Sequence, residues 1–249
     1  MSLNRIYFDI LKEINNNQIS INILVEKYKL TSRALRYYIY NINYYLKKYS
    51  IPQIYIKNGK LYFNIDENAL IDFIDKIPIS EYLLSQEERK KYILFNFLFK
   101  DNTNIAKLEN FLNVSRTTIK NDINDLKKYL NNFDLYFYLE INKIILGGNE
   151  KKLRHLKFLY MMQYMNIHIN KINYIKVLYP SEKLELSILK DYINKIDIDK
   201  INQVISEVEK KFKYNFSNKF KNIMYAYLIA TLERIQNHHL IDKKIMLIF

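Results

Sequence analysis

The chain has 249 residues, 49% of them hydrophobic and 26% charged, a composition that excludes a disordered chain and predicts two or three compact units with their own cores. With no cysteine, disulfides, thiolate metal sites and cysteine nucleophiles are excluded, and three glycines and three prolines leave little turn chemistry for a sandwich of short strands. The formal net charge of +13 favours a polyanionic partner, although the excess is spread as +6 over residues 1–66, −3 over 67–84, +4 over 85–154 and +6 over 155–249.

In chain order, Asn4 to Asn16 carries Ile6, Ile10, Leu11 and Ile14 at helical spacing, and Ile21 to Tyr28 forms a second short helix. Lys29-Leu30 supplies the turn into a third helix, capped by Thr31 or Ser32 and running to about Lys48. The period then changes. Ile54 to Ile56 and Leu61 to Phe63 are β-prone runs around Asn58-Gly59, a strong hairpin signal, so residues 1–66 read as a winged helix. Residues 67–84, acidic and interrupted by Pro78, are expected to be a linker. Ser85-Gln86-Glu87-Glu88 is a capping box opening a helix to about Phe99. Asn104 to Leu112, the turn Asn113-Val114, a helix from Ser115 to Leu130, and β-prone runs at Leu135 to Leu139 and Lys143 to Leu146 make residues 85–149 a second winged helix. From Glu150 to the end the pattern is helical, with amphipathic segments at Lys152 to Met165, Glu182 to Lys195, Ile198 to Lys213 and Asn218 to Gln236 that predict an antiparallel bundle over 150–249. The fold class is therefore mostly α. The apolar end Ile245 to Phe249, without a cap or polar tail, leads us to expect part of a longer protein.

The two helix-turn-helix stretches superpose at an offset of 84 residues. Leu35, Ile39, Ile42 and Leu46 then fall on Ile119, Ile123, Leu126 and Leu130, a core-facing stripe in each copy. The opposite faces carry the candidate DNA contacts: Arg33, Arg36, Tyr37 and Tyr40 in the first copy, and Arg116, Thr117, Lys120 and Asn121 in the second. The wing lysines Lys57, Lys60 and Lys143 are candidate phosphate contacts, which set register and salt dependence without reading sequence. Asp122 and Asp125 would repel phosphate and are assigned to capping or intramolecular pairing. The 23 tyrosines accompany many Asn, Ile and Lys residues, a bias of AT-rich coding, and most are expected at core or boundary positions.

Leu112-x-Val114-Ser115-Arg116-Thr117-Thr118-Ile119-x-Asn121-Asp122-Ile123-x-x-Leu126, a wing, and then Gly148-Asn149-Glu150-x-x-x-Arg154 resemble the Mga-type helix-turn-helix. That module occurs in BglG/MtlR-like regulators of sugar-uptake operons and in Mga-like virulence regulators, which place a simpler winged helix in front. The resemblance implies that the helical domain behind is regulated by the sugar phosphotransferase system. Tyr225 to Ile235 is the best local match to that domain, and the position seven before Arg234, commonly the phosphoacceptor histidine, is Tyr227 here. The resemblance thus implies a phosphotransferase-regulation domain degenerate at this position.

The enzyme signatures sought are absent: there is no Gly-rich phosphate loop, Gly-x-Ser-x-Gly elbow or paired acidic metal motif, and the four histidines are not spaced for a metal on one helix face. No apolar run approaches the ~20 residues of a membrane span, and no signal peptide opens the chain. We expect a cytoplasmic transcriptional regulator, an activator, that binds double-stranded DNA as a homodimer, needs no cofactor and has phosphotransferase-system proteins as partners. The alternative is a replication initiator with tandem winged helices. A protein-interaction module is a third reading, and RNA antitermination is disfavoured because the small β domain it requires is not visible.

Overall fold

The computed structural model describes residues 2–100, 103–140, 143–168, 171–174 and 179–241. The apolar end Ile245 to Phe249 lies outside the described residues. Eleven α-helices dominate the described chain and three small antiparallel sheets accompany them. Two compact units are present, Met1–Glu88 with Lys176–Lys183, and Arg89–Ile175 with Leu184–Phe249.

The first unit contains α1 (Arg5–Ile14), β1 (Ile19–Ser20), α2 (Ile21–Lys27), α3 (Ser32–Lys48), β2 (Tyr55–Lys57), β3 (Lys60–Tyr62) and α4 (Glu67–Lys76). Asn4, Ser20, Thr31 and Asp66 each turn a side-chain oxygen onto an orphan amide at the start of the following helix. Asn58 and Gly59, at φ 50° and 71°, form the two-residue turn between β2 and β3, the left-handed pair that such a hairpin demands. Ile19 of β1 pairs with Leu61 of β3, giving a sheet of order β1-β3-β2.

Apart from β1, the second unit repeats this order at the same 84-residue offset. It holds α5 (Gln86–Phe99) from Arg89 onward, α6 (Ile105–Leu112), α7 (Arg116–Asn131), β4 (Leu135–Glu140), β5 (Lys143–Gly148) and α8 (Glu150–Met162). The turn residues Lys29 and Asn113 are both left-handed, at φ 52° and 50°, and the caps Thr31 and Ser115 both accept an amide three residues on. The capping box is formed as read: Ser85 Oγ accepts from Glu88 N at 3.3 Å and Glu88 Oε2 accepts from Ser85 N at 2.9 Å. Both predicted stripes are buried, Leu35, Ile39, Ile42 and Leu46 in one unit and Ile119, Ile123, Leu126 and Leu130 in the other.

Two expectations need correction. Residues 67–84 are not a bare linker, because α4 lies there and buries Leu70, Phe73, Ile74 and Ile77 in the core of the first unit. That i, i+3, i+4, i+7 stripe outweighs the acidic residues on the opposite face. Beyond Glu150 the chain is not helical throughout: β6 (Met165–His168) and β7 (Lys171–Tyr174) form a hairpin before α9 (Pro180–Ile193), α10 (Ile198–Phe212) and α11 (Asn218–Gln236). The alternation of isoleucine with polar residues at 166–173 has the period of a strand.

Lys176–Lys183 completes the first unit. The Tyr179 ring lies beneath two cations of α1, with Arg5 4.1 Å and Lys12 3.3 Å from its centroid, and its hydroxyl donates to Asp9 at 2.6 Å. Ser181 Oγ and Tyr82 Oη both donate to the buried Glu88 carboxylate. Lys12 Nζ is buried with no hydrogen-bond partner, and burial pulls its pKa down to about 8 against the attraction of Glu182 and Asp9, with Arg5 adding to the lowering. An unfolded lysine titrates near 10.5, so between about 8 and 10 the unfolded chain binds more protons at this site and its contribution to stability rises with pH. Lys12→Met is therefore expected to be more stable than the wild type near neutral pH, with the gap closing between about pH 8 and 10.5 in chemical-denaturation series. A gap independent of pH would contradict this assignment.

Candidate nucleic-acid interface

With Ile119, Asp122, Ile123, Leu126 and Leu130 buried, the opposite face of α7 points outward. Arg116, Thr117, Lys120 and Asn121 are all exposed there, and the same surface continues through Asn124, Lys127 and Lys128. These last three were missed because the candidate set stopped after the first turns, although the helical period leads straight to them. The two carboxylates of α7 pair with cations of α5. Asp122, 1% exposed, accepts from Arg89 Nε at 3.0 Å, and Asp125 lies 3.7 Å from Lys90 Nζ. Their predicted intramolecular pairing is thereby found, and the outward surface of α7 offers guanidinium, ammonium, amide and hydroxyl groups, with the Asp125 carboxylate, 42% exposed, neutralised by Lys90. The N-terminal end of the helix adds its positive dipole beside Arg116.

The wing β4–β5 lies alongside. Lys120, Asn124 and Lys127 of α7 line a groove whose other wall is Phe137, Tyr138, Leu139 and Ile144 of the hairpin. Lys143 is exposed at the start of β5, opposite Glu140 in the strand register.

In the first unit Arg33, Arg36, Tyr37 and Tyr40 project from α3, joined by Tyr44 and Lys47, which the sequence reading had not singled out. Lys57 and Lys60 are exposed and directly opposite each other across β2–β3. Like charges so placed repel, and a bound anion would relieve the repulsion. From Lys27 to Ile65 the chain contains no Asp or Glu.

Glu150 begins α8 immediately after the wing. Its carboxylate takes Arg154 Nε at 2.8 Å and both Arg234 Nε and Nη2, the latter at 2.8 Å, while Arg154 Nη2 donates to the His239 carbonyl at 2.7 Å. Burial pushes the carboxyl pKa up, but the hydrogen bonds and charges of Arg234 and Arg154 reverse that and hold it below the ordinary value. Next to this knot, Glu233 binds Lys157 at 2.7 Å and Tyr192 at 3.0 Å. Tyr227 stands half exposed on α11, a phenol where the family resemblance leads one to look for an imidazole. Among the described residues no group of three or more His, Cys, Asp or Glu side chains is placed to hold a metal, and no helix is long and apolar enough to cross a membrane.

Residues 76–164, from the end of α4 through α8, match the family model of the Mga helix-turn-helix domain. This stretch therefore holds a helix-turn-helix of the type used in DNA-binding transcription regulation. No curated protein matches the chain. Among solved structures it is similar to the DIP2311 protein from Corynebacterium diphtheriae, at 14% identity and a TM-score of 0.22 over 58% of this chain and 26% of that one, too low a score to define a shared fold. The chain spans about a quarter of the length of that protein.

Proposed function

We propose that the chain is a cytoplasmic, sequence-specific regulator of transcription that docks α7 in the major groove of double-stranded DNA, and that it activates operons of the sugar-uptake or virulence type. The observation that carries this reading is the outward face of α7, where Arg116, Thr117, Lys120 and Asn121 are exposed while Asp122 is buried against Arg89 and Asp125 is paired with Lys90. The 84-residue structural repeat supports a second head on α3, and a homodimer would double both on an extended operator. In this reading the helices after the second wing are a degenerate phosphotransferase-regulation domain, Tyr227 replaces its phosphoacceptor, and phosphotransferase-system proteins are the partners that set its state. No catalytic role or cofactor is assigned. A replication initiator with tandem winged helices also suits the repeat and would prefer iterated sites.

The test is selection from a randomised duplex pool, followed by titration of the winner and a scrambled duplex at several salt concentrations. Arg116→Ala is expected to reduce discrimination by roughly 5- to 150-fold, the value of one bidentate base contact at about 1–3 kcal/mol. Lys143→Ala should instead leave the preference intact and lower the salt slope by about 1. Equal binding of both duplexes by the wild type would reject sequence reading.

A further inference from the structure

At the 84-residue offset, Tyr37, Tyr40 and Tyr44 of α3 occupy the places of Asn121, Asn124 and Lys128 of α7. The two helices are built and capped alike, yet their outward faces differ in chemistry. The face of α7 carries the side chains that hydrogen-bond base edges. The face of α3 carries three rings, 56%, 67% and 56% exposed, between Arg33 and Arg36 at one end and Lys47 at the other. Residues 33, 37, 40, 44 and 47 recur every three or four positions, with 36 beside 37, and so form one stripe, with the rings spread over about 10 Å of helix. Tyr44 is held edge-on against the buried ring of Tyr45, 5.3 Å between centroids. A tyrosine offers a base edge one hydroxyl but offers a base face a whole ring.

We propose that the stripe on α3 is a stacking surface for the unpaired bases of a single DNA strand, with Arg33, Arg36 and Lys47 holding its phosphates. The charge argues for a nucleic acid over an apolar protein partner: α3 carries no acidic residue, and none occurs from Lys27 to Ile65. Cations flanking exposed rings are what a base-stacking, backbone-tracking surface requires, and such stacking is tolerant of sequence. The inference extends the DNA-binding reading but stands apart from the role of α7, since the strand would be held where a duplex has opened.

Fluorescence anisotropy of the full chain with a labelled 20-nucleotide dT strand and with a duplex of scrambled sequence tests it. Tyr40→Ala and Tyr44→Ala are each expected to weaken strand binding about fivefold or more. Tyr40→Phe and Tyr44→Phe should retain it, and because Tyr44 is not among the candidate duplex contacts of α3, Tyr44→Ala should leave duplex affinity within about twofold of the wild type. Arg116→Ala, measured on both probes, separates the two claims, because it should leave strand binding unchanged whether or not α7 reads duplex DNA. Three results would each overturn the proposal: strand binding unaffected by the alanine variants, equal loss on strand and duplex for Tyr44→Ala, or altered self-association by light scattering with strand binding intact. The second of these would place the stripe in a duplex groove, and the third would make it an interface between copies of the chain.

Discussion

Replacing Glu150 by alanine is expected to destabilise the second unit by about 3–5 kcal/mol, the cost of removing one partner from a buried ion pair. The loss is large because one carboxylate serves two guanidinium groups. Arg154 is 4% exposed and the Arg234 side chain 14%, so Arg154 in particular cannot regain water without a local opening of α8 from α11. Urea melts of the wild type, Glu150→Ala and Glu150→Gln check this, the glutamine being intermediate because it keeps an acceptor and loses the charge. The sign of the pH dependence follows from the lowered pKa of Glu150. Its contribution is present above the ordinary carboxylate value and is lost as pH falls through the folded value, so the wild type should approach the alanine variant in acid. A destabilisation below about 1 kcal/mol would show the knot to be solvated and ornamental.

The second large effect is expected at Gly148→Ala. Gly148 has φ +128°, and a Cβ there would lie 2.2 Å from the Asp134 carbonyl oxygen and 2.9 Å from the Leu135 Cα, both backbone atoms. That carbonyl already accepts from Asn149 N at 3.1 Å, so it has little freedom to retreat. Backbone strain of this kind costs about 1–3 kcal/mol before the clash is added. The junction of the wing with α8 should therefore loosen, lowering the thermal midpoint and the protection of β4 and β5 amides from exchange. Gly59→Ala is the control: φ is +71° but nothing lies within 4 Å of its added Cβ, so only about 1–2 kcal/mol of left-handed strain is expected. Equal costs at the two glycines would refute the steric account.

Features set by neighbours in sequence were legible beforehand. Thr31 and Ser115 announce their helices, Asn58-Gly59 announces its hairpin, Ser85 and Glu88 form the capping box they spell, and the stripe from Leu35 to Leu46 recurs 84 residues later. Features that depend on distant partners were not. The two-residue strand β1 exists because Ile19 meets Leu61, and Glu150 is explained by Arg234, 84 positions away. The helix α4 was legible but misweighted, since four acidic residues drew attention from Leu70, Phe73, Ile74 and Ile77. The tyrosines show the same effect. Tyr7, Tyr45, Tyr82, Tyr92 and Tyr225 are buried as composition implied, whereas the row on α3 stands out only once the core has claimed the opposite face of that helix.

The central claim, that α7 reads base edges in the major groove, is tested most directly by a cycle between protein and DNA. In the selected duplex each guanine is replaced in turn by 7-deazaguanine, which removes N7 from the major groove and leaves Watson–Crick pairing intact, and each duplex is titrated with the wild type and Arg116→Ala. The account predicts one position at which the replacement weakens the wild type by about fivefold or more and the variant hardly at all, because the two changes remove the same contact. Losses that are absent, or that add fully with Arg116→Ala at every position, would contradict it.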